Sequence, residues 1–169
     1  KPFTTTLLYK SQNSEPIHVS QNVHSDSENG ETIEEIIYKC FKSGTVCDYE
    51  GSLWAVVALN DLGEDVSPFI PYLDFLMEEN SRFFPEAFLY ITTGSDDFLT
   101  SILNDNFKTK FWRVGTFDEF YSTAIAFMSL QGQEPAQVDK AKEYLLTEGV
   151  QRNDGCWNNF KNTAFLLYA

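Results

Sequence analysis

Few residues of this chain have types and spacings that could do chemistry. The string Asp154-Gly155-Cys156-Trp157 sets a carboxylate and a thiol two residues apart, and both are proper Zn²⁺ ligands once deprotonated. A third ligand is missing, because the two histidines, His18 and His24, belong to the N-terminal stretch. Ser95-Asp96-Asp97 pairs two acids, the raw material of a proton donor kept neutral by its neighbour. At the start of a helix, however, such a pair simply complements the helix dipole. A Ser/His/Asp or Cys/His nucleophile would need His18 or His24 to fold back over the rest of the chain, and no string supports that. A glycine-rich phosphate cradle is also lacking. The sequence offers no catalytic set and implies no cofactor.

Three cysteines are an odd number, so they cannot form a closed disulfide framework of their own. Cys40 continues the series Ile33, Ile36, Ile37, Cys40, Phe41, which predicts the buried stripe of a helix with Cys40 as a small core residue. Cys47 follows across a break at Gly44, close enough for a local disulfide that nothing else in the sequence demands. Cys156 falls in a turn.

The elements that must position these residues come from a chain of 169 residues, enough for one domain. An apolar content of 43% and an aromatic content of 15% exclude a disordered chain. Twelve Lys and Arg against 25 Asp and Glu give a formal net charge of −13. That charge argues against nucleic acid and against anionic membrane surfaces. The longest unbroken apolar run, Leu53 to Leu59, is far too short for insertion into a bilayer. The chain starts at Lys1 and stops inside the apolar run Thr163 to Tyr168, which reads as a piece of a longer protein.

Residues 1–31 differ from the rest. Thr4 to Tyr9 and Pro16 to Val19 have strand-like composition, and Ser25 to Gly30 is a polar breaker, so an extended arm or the tail of a preceding β domain is expected. From Thr32 onward every segment reads as helix. Amphipathic helices are predicted to begin near Ile33, Pro68, Asp96 and Val138, with stripes such as Phe69, Leu73, Leu76, then Leu99, Ile102, Leu103, then Val138, Ala141, Leu145. Each is followed by a more uniformly apolar helix led by Ala55, Ala87, Ala124 or Ala164, so the period runs 32, 37 and 40 residues. The first three of these close on Gly63, Gly94 and Gly132, as left-handed C-caps require. This is an internal repeat of helical hairpins, residues 32–169, four in number with the last truncated.

The last repeat carries a resemblance. Ala141 to Leu146, then Gln151, then Asp154-Gly155-Cys156-Trp157, then Asn162-Thr163-Ala164-Phe165 resembles the repeat of the α/α-toroid families, squalene and other triterpene cyclases and protein prenyltransferase β subunits. The resemblance implies an all-α fold of stacked hairpins, amphipathic outside and apolar inside, curved as part of an α/α toroid. Closed toroids of that kind hold about six hairpins, so four imply an arc whose bare ends pair with a second copy or with missing chain. Cyclases of this kind use an Asp-x-Asp-Asp string, of which Ser95-Asp96-Asp97 lacks the first acid. Prenyltransferases place their Asp and Cys zinc ligands where the inner helix opens. Here that opening is Asn162-Thr163-Ala164, so Asp154 and Cys156 lie too early and are expected to hold no metal. The Cys-Gly-Glu-Gln string of thioester domains is absent. Gln151 and Trp157 are expected to cross-link an outer helix to the next inner one, the amide bonding orphan backbone groups and the indole filling a wedge.

Aromatic residues and acids recur at the predicted inner-helix entrances. Most are expected to be packing residues and helix N-terminal charges. As a binding rim the candidates are Glu50, Trp54, Glu86, Asp118, Tyr121, Trp157 and Phe160. The expected function is a non-catalytic binding or architectural module of a larger protein. The alternative is a fragment of an isoprenoid cyclase or prenyltransferase-like enzyme whose catalytic residues lie elsewhere. Surface proteins also share the toroid, which favours a cell-surface or secreted setting.

Overall fold

The computed structural model describes residues 3–9, 17–19, 23–26, 37–147 and 149–169. In the N-terminal part, β1 (Phe3–Thr5) pairs antiparallel with β4 (His24–Asp26), and β2 (Leu8–Tyr9) with β3 (His18–Val19). The first strand-like stretch expected there holds most of β1 and all of β2 and the second holds β3, but β4 runs into Ser25 and Asp26, where a polar breaker is expected. Both histidines sit on these short ladders.

The four apolar segments become helices α1 (Tyr49–Asp61), α3 (Pro85–Thr93), α5 (Glu119–Ser129) and α7 (Phe160–Tyr168). Gly63, Gly94 and Gly132 follow the first three at φ +78°, +66° and +79°, the left-handed geometry that a side chain would strain. Leu53, Val56, Ala87, Leu89, Ala124, Ile125 and Ala126 are essentially sealed from solvent. Helix α5 packs against α7 and α3, and α3 against α1. The rings of Trp54 and Phe165, 5.6 Å apart, bring α7 onto α1 as well. One core therefore runs through all four inner helices.

The outer elements are shorter than their stripes suggest. A 3-10 turn (Ser67–Phe69) leads into α2 (Ile70–Phe75). Helix α4 (Asp96–Thr100) loosens into a π-helical turn, Ser101–Asp105. Among the described residues only α6 (Ala136–Leu145) is a full outer helix. The stripes still point inward, with Leu73, Ile102, Val138, Ala141 and Leu145 buried. No helix among the described residues is long and apolar enough to cross a membrane.

Two expectations are corrected. The helical stripe from Ile33 to Phe41 fails where it is described: residues 37–41 are not helical, and Ile37 is 72% exposed. Ile33 and Ile36 lie outside the described residues. Cys40 is bonded to Cys47, which folds the segment into a hairpin, β5 (Lys42–Ser43) against β6 (Val46–Cys47), turning at Gly44. The Lys39 amide donates to the Pro68 carbonyl at 2.8 Å, and Tyr38 and Phe41 stack on Tyr72 and Phe69. The covalent bond and these contacts override the helical period. Secondly, inner helices this uniformly apolar are expected to be covered on more than one side, yet α7 leaves Phe160, Ala164, Leu167 and Tyr168 facing solvent.

Candidate functional site

Three of the four inner helices start with one polar device, and α3, which follows Phe84 without a side-chain cap, does not. At the start of α1, α5 and α7 an N-cap side chain accepts from the amide three residues on: Asp48 from Gly51 at 3.0 Å, Asp118 from Tyr121 at 2.8 Å, Asn159 from Asn162 at 2.9 Å. Each cap satisfies an amide that the helix cannot. A hydroxyl in the next turn then reaches back to the incoming chain. Ser52 Oγ accepts from the Phe41 amide at 2.9 Å, Thr123 Oγ1 from Trp112 at 3.1 Å, and Thr163 Oγ1 from Trp157 at 2.9 Å. Two of the residues so held are tryptophans whose indoles also reach an outer element. Trp112 Nε1 donates to the Ile102 carbonyl at 2.8 Å and Trp157 Nε1 to the Leu145 carbonyl at 2.9 Å. Both rings are buried, with their N–H groups satisfied. Trp112 was missed by sequence reasoning. The order aromatic, N-cap, then Ser or Thr, common to Trp112-Asp118-Thr123 and Trp157-Asn159-Thr163, was the signal available.

Around Trp157 the string Asp154-Gly155-Cys156 is an exposed turn. Asp154 Oδ1 accepts from the Cys156 amide at 3.1 Å and its other oxygen meets Arg152 at 3.2 Å. These contacts, the amide first, hold its carboxyl below the usual range. The Gln151 amide donates to the Gly155 carbonyl at 2.9 Å, bracing this turn instead of crossing to a neighbouring helix. Among the described residues no three His, Cys, Asp or Glu side chains are grouped to hold a metal ion.

Of the seven rim candidates, the structure brings three together. Trp54 and Tyr121 both pack on Phe165, with ring centroids at 5.6 and 5.4 Å. Glu50, in the first turn of α1, lies near enough to Tyr121 to act on its hydroxyl. Burial first, and then Glu50, push the Tyr121 hydroxyl up to about 12. Lys161 lies over the Tyr121 ring, 4.2 Å from its centre, a cation–π contact. Asp118 is committed to structure. Besides its cap, its second oxygen accepts from Asn158 at 3.1 Å and Asn162 at 2.8 Å, tying α5 to α7. Glu86, on the first turn of α3, is half-buried, with Oε2 sealed from solvent. Its Oε2 has no hydrogen-bond partner, and burial raises its carboxyl above the ordinary range. Tyr49 is near it, and burial together with the Glu86 charge raises the Tyr49 hydroxyl. That hydroxyl donates to the Leu73 carbonyl at 2.5 Å.

Trp157 and Phe160 stand apart from this group. Trp157 lines a cleft of about 440 Å³ between α6 and the α5–α7 pair, with Phe127, Leu130, Val138, Leu145 and Leu166. Phe160 is 87% exposed. The arrangement can hold apolar or cationic groups, and among the described residues it aligns no nucleophile with a base. No family model, curated protein or solved structure matches the chain.

Proposed function

We propose that the chain is a non-catalytic binding or architectural module built from helical hairpins of the α/α-toroid kind. The observation that carries this reading is the use made of polar groups at the junctions. Asp118 spends both oxygens on α5 and α7, and the hydroxyls of Ser52, Thr123 and Thr163 hold incoming backbone. Asp154 closes its own turn. These groups join hairpins and leave little for a reacting atom. The repeat of one junction at three places supports the toroid-like construction, and the exposed side chains of α7 support a working state in which something covers them.

A second reading, part of an isoprenoid cyclase or prenyltransferase-like enzyme, draws on Glu86. A buried carboxyl held toward its neutral form beside Tyr49 is the setting a proton donor needs. Incubation of the purified chain with allylic diphosphates and with a polyene such as squalene, followed by mass spectrometry, separates the two. The module reading expects no conversion. Turnover abolished by Glu86→Gln would overturn it.

A further inference from the structure

Helix α7 has two apolar faces, and the core uses one. Asn162 is buried, Phe165 packs on Trp54 and Tyr121, and Leu166 lines the cleft beside α6. The other face holds Phe160 at 87% exposure, Leu167 at 73% and Tyr168 at 69%, with Ala164 exposed among them. The spacing i, i+4, i+7, i+8 places them in one stripe. None of the described residues covers it. Leu146, 71% exposed at the end of α6, rims the adjoining cleft.

We propose that a second copy of this chain docks on this face, as an antiparallel pair of α7 helices about a two-fold axis near Ala164. The inference rests on the module reading and names its partner. The stripe is large–small–large about Ala164, with Phe160 four residues before it and Tyr168 four after. Each arm is thus about 6 Å long. A two-fold axis there sets the small residues where the backbones cross. Each Phe160 then meets the Leu167–Tyr168 end of the other copy, so one stripe complements itself and the assembly closes as a dimer.

Charge points to the same face. At a net charge of −13 two copies repel each other over most of their surface, but the last acid of the sequence is Asp154. From Gly155 to Ala169 the only charged side chain is Lys161, and that one is drawn over Tyr121. Area sets the strength. Phe160, Leu167 and Tyr168 at these exposures offer roughly 450 Å² per copy, hence about 900 Å² for the pair. That is the size of a weak, transient interface, which suits a dimer that forms only in the micromolar range.

Sedimentation velocity on the purified chain, from about 1 to about 100 μM, tests this. A reversible monomer–dimer equilibrium is expected, tightening with added salt as the charge repulsion is screened. Ala164→Glu, at an exposed helix position, should weaken association at least about a hundredfold and leave the melting temperature of the monomer unchanged. Ala164→Cys in a Cys156→Ser background should yield a disulfide-linked dimer on mild oxidation. A chain monomeric at the highest concentration, or one whose association survives Ala164→Glu, overturns the proposal. A monomer without zinc and without turnover sinks the dimer alone. Bound zinc or turnover sinks the module reading whatever the oligomeric state.

Discussion

The first and last inner helices are entered in two ways that share one hydrogen bond. Before α7 the chain is pinned by Trp157. Its amide meets Thr163, and its indole is buried against the Leu145 carbonyl. Before α1 the corresponding amide is that of Phe41, held by Ser52, but the Phe41 ring is 37% exposed and stacks on Phe69 at the surface. There the Cys40–Cys47 bond fixes the entrance instead. A buried wedge gains stability by removing a large ring from water and satisfying its one donor. A short disulfide gains it chiefly by restricting the unfolded chain. The fold thus accepts either device at an equivalent joint, provided that the backbone amide is still met by a hydroxyl of the helix it enters.

That comparison breaks most visibly at the wedge. Trp157→Ala should cost on the order of 3–5 kcal/mol in chemical denaturation, through the cavity and the orphaned Leu145 carbonyl. Trp112→Ala, at a ring sealed from solvent, should cost at least as much. Reduction of Cys40–Cys47, or its replacement by two serines, removes a loop closure spanning about eight residues and should cost roughly 2–3 kcal/mol. Equal losses at the two entrances would show that the devices do not differ as described. Below these come the shared hydroxyls. Ser52→Ala and Thr163→Val should each cost about 1 kcal/mol, and similar values at the two sites would sharpen the equivalence.

The smallest effect is one of pH. Burial raises the folded-state value of Glu86, so in the window above the ordinary carboxylate range the folded chain binds more protons than the unfolded one. Stability attributable to Glu86 therefore falls as pH rises through that raised value. Glu86→Gln should remove this slope and be mildly stabilising at neutral pH in melts taken across the window. A slope unchanged by the substitution would place its origin elsewhere.

The inner helices were legible because four uniformly apolar segments led by alanine, three of them closed by glycine, leave a strong local signal. Their acids also behave largely as expected, as caps and first-turn charges. Residues 37–41 mislead because Ile37, Cys40 and Phe41 fit a helical period, while the bond that decides their conformation depends on a partner across Gly44. Trp112 was passed over because no string around it looks like a motif. Its role appears only when Thr123 and Ile102 arrive in space. Gln151 was assigned to a neighbouring helix although its amide had a closer acceptor in its own turn. At the rim, residue types pointed to Trp54 and Tyr121 but not to Phe165 and Lys161, which complete the group from the last helix.

Asp154-Gly155-Cys156 forms a turn that delivers the buried wedge Trp157, and we read it as structural instead of metal-binding. Zinc analysis of the purified chain, with thermal melts of Trp157→Ala and Cys156→Ser side by side, tests it most directly. The expected result is no stoichiometric zinc, a large loss of stability for Trp157→Ala, and a melt for Cys156→Ser that overlays the parent. One zinc per chain, lost together with stability in Cys156→Ser, would contradict it.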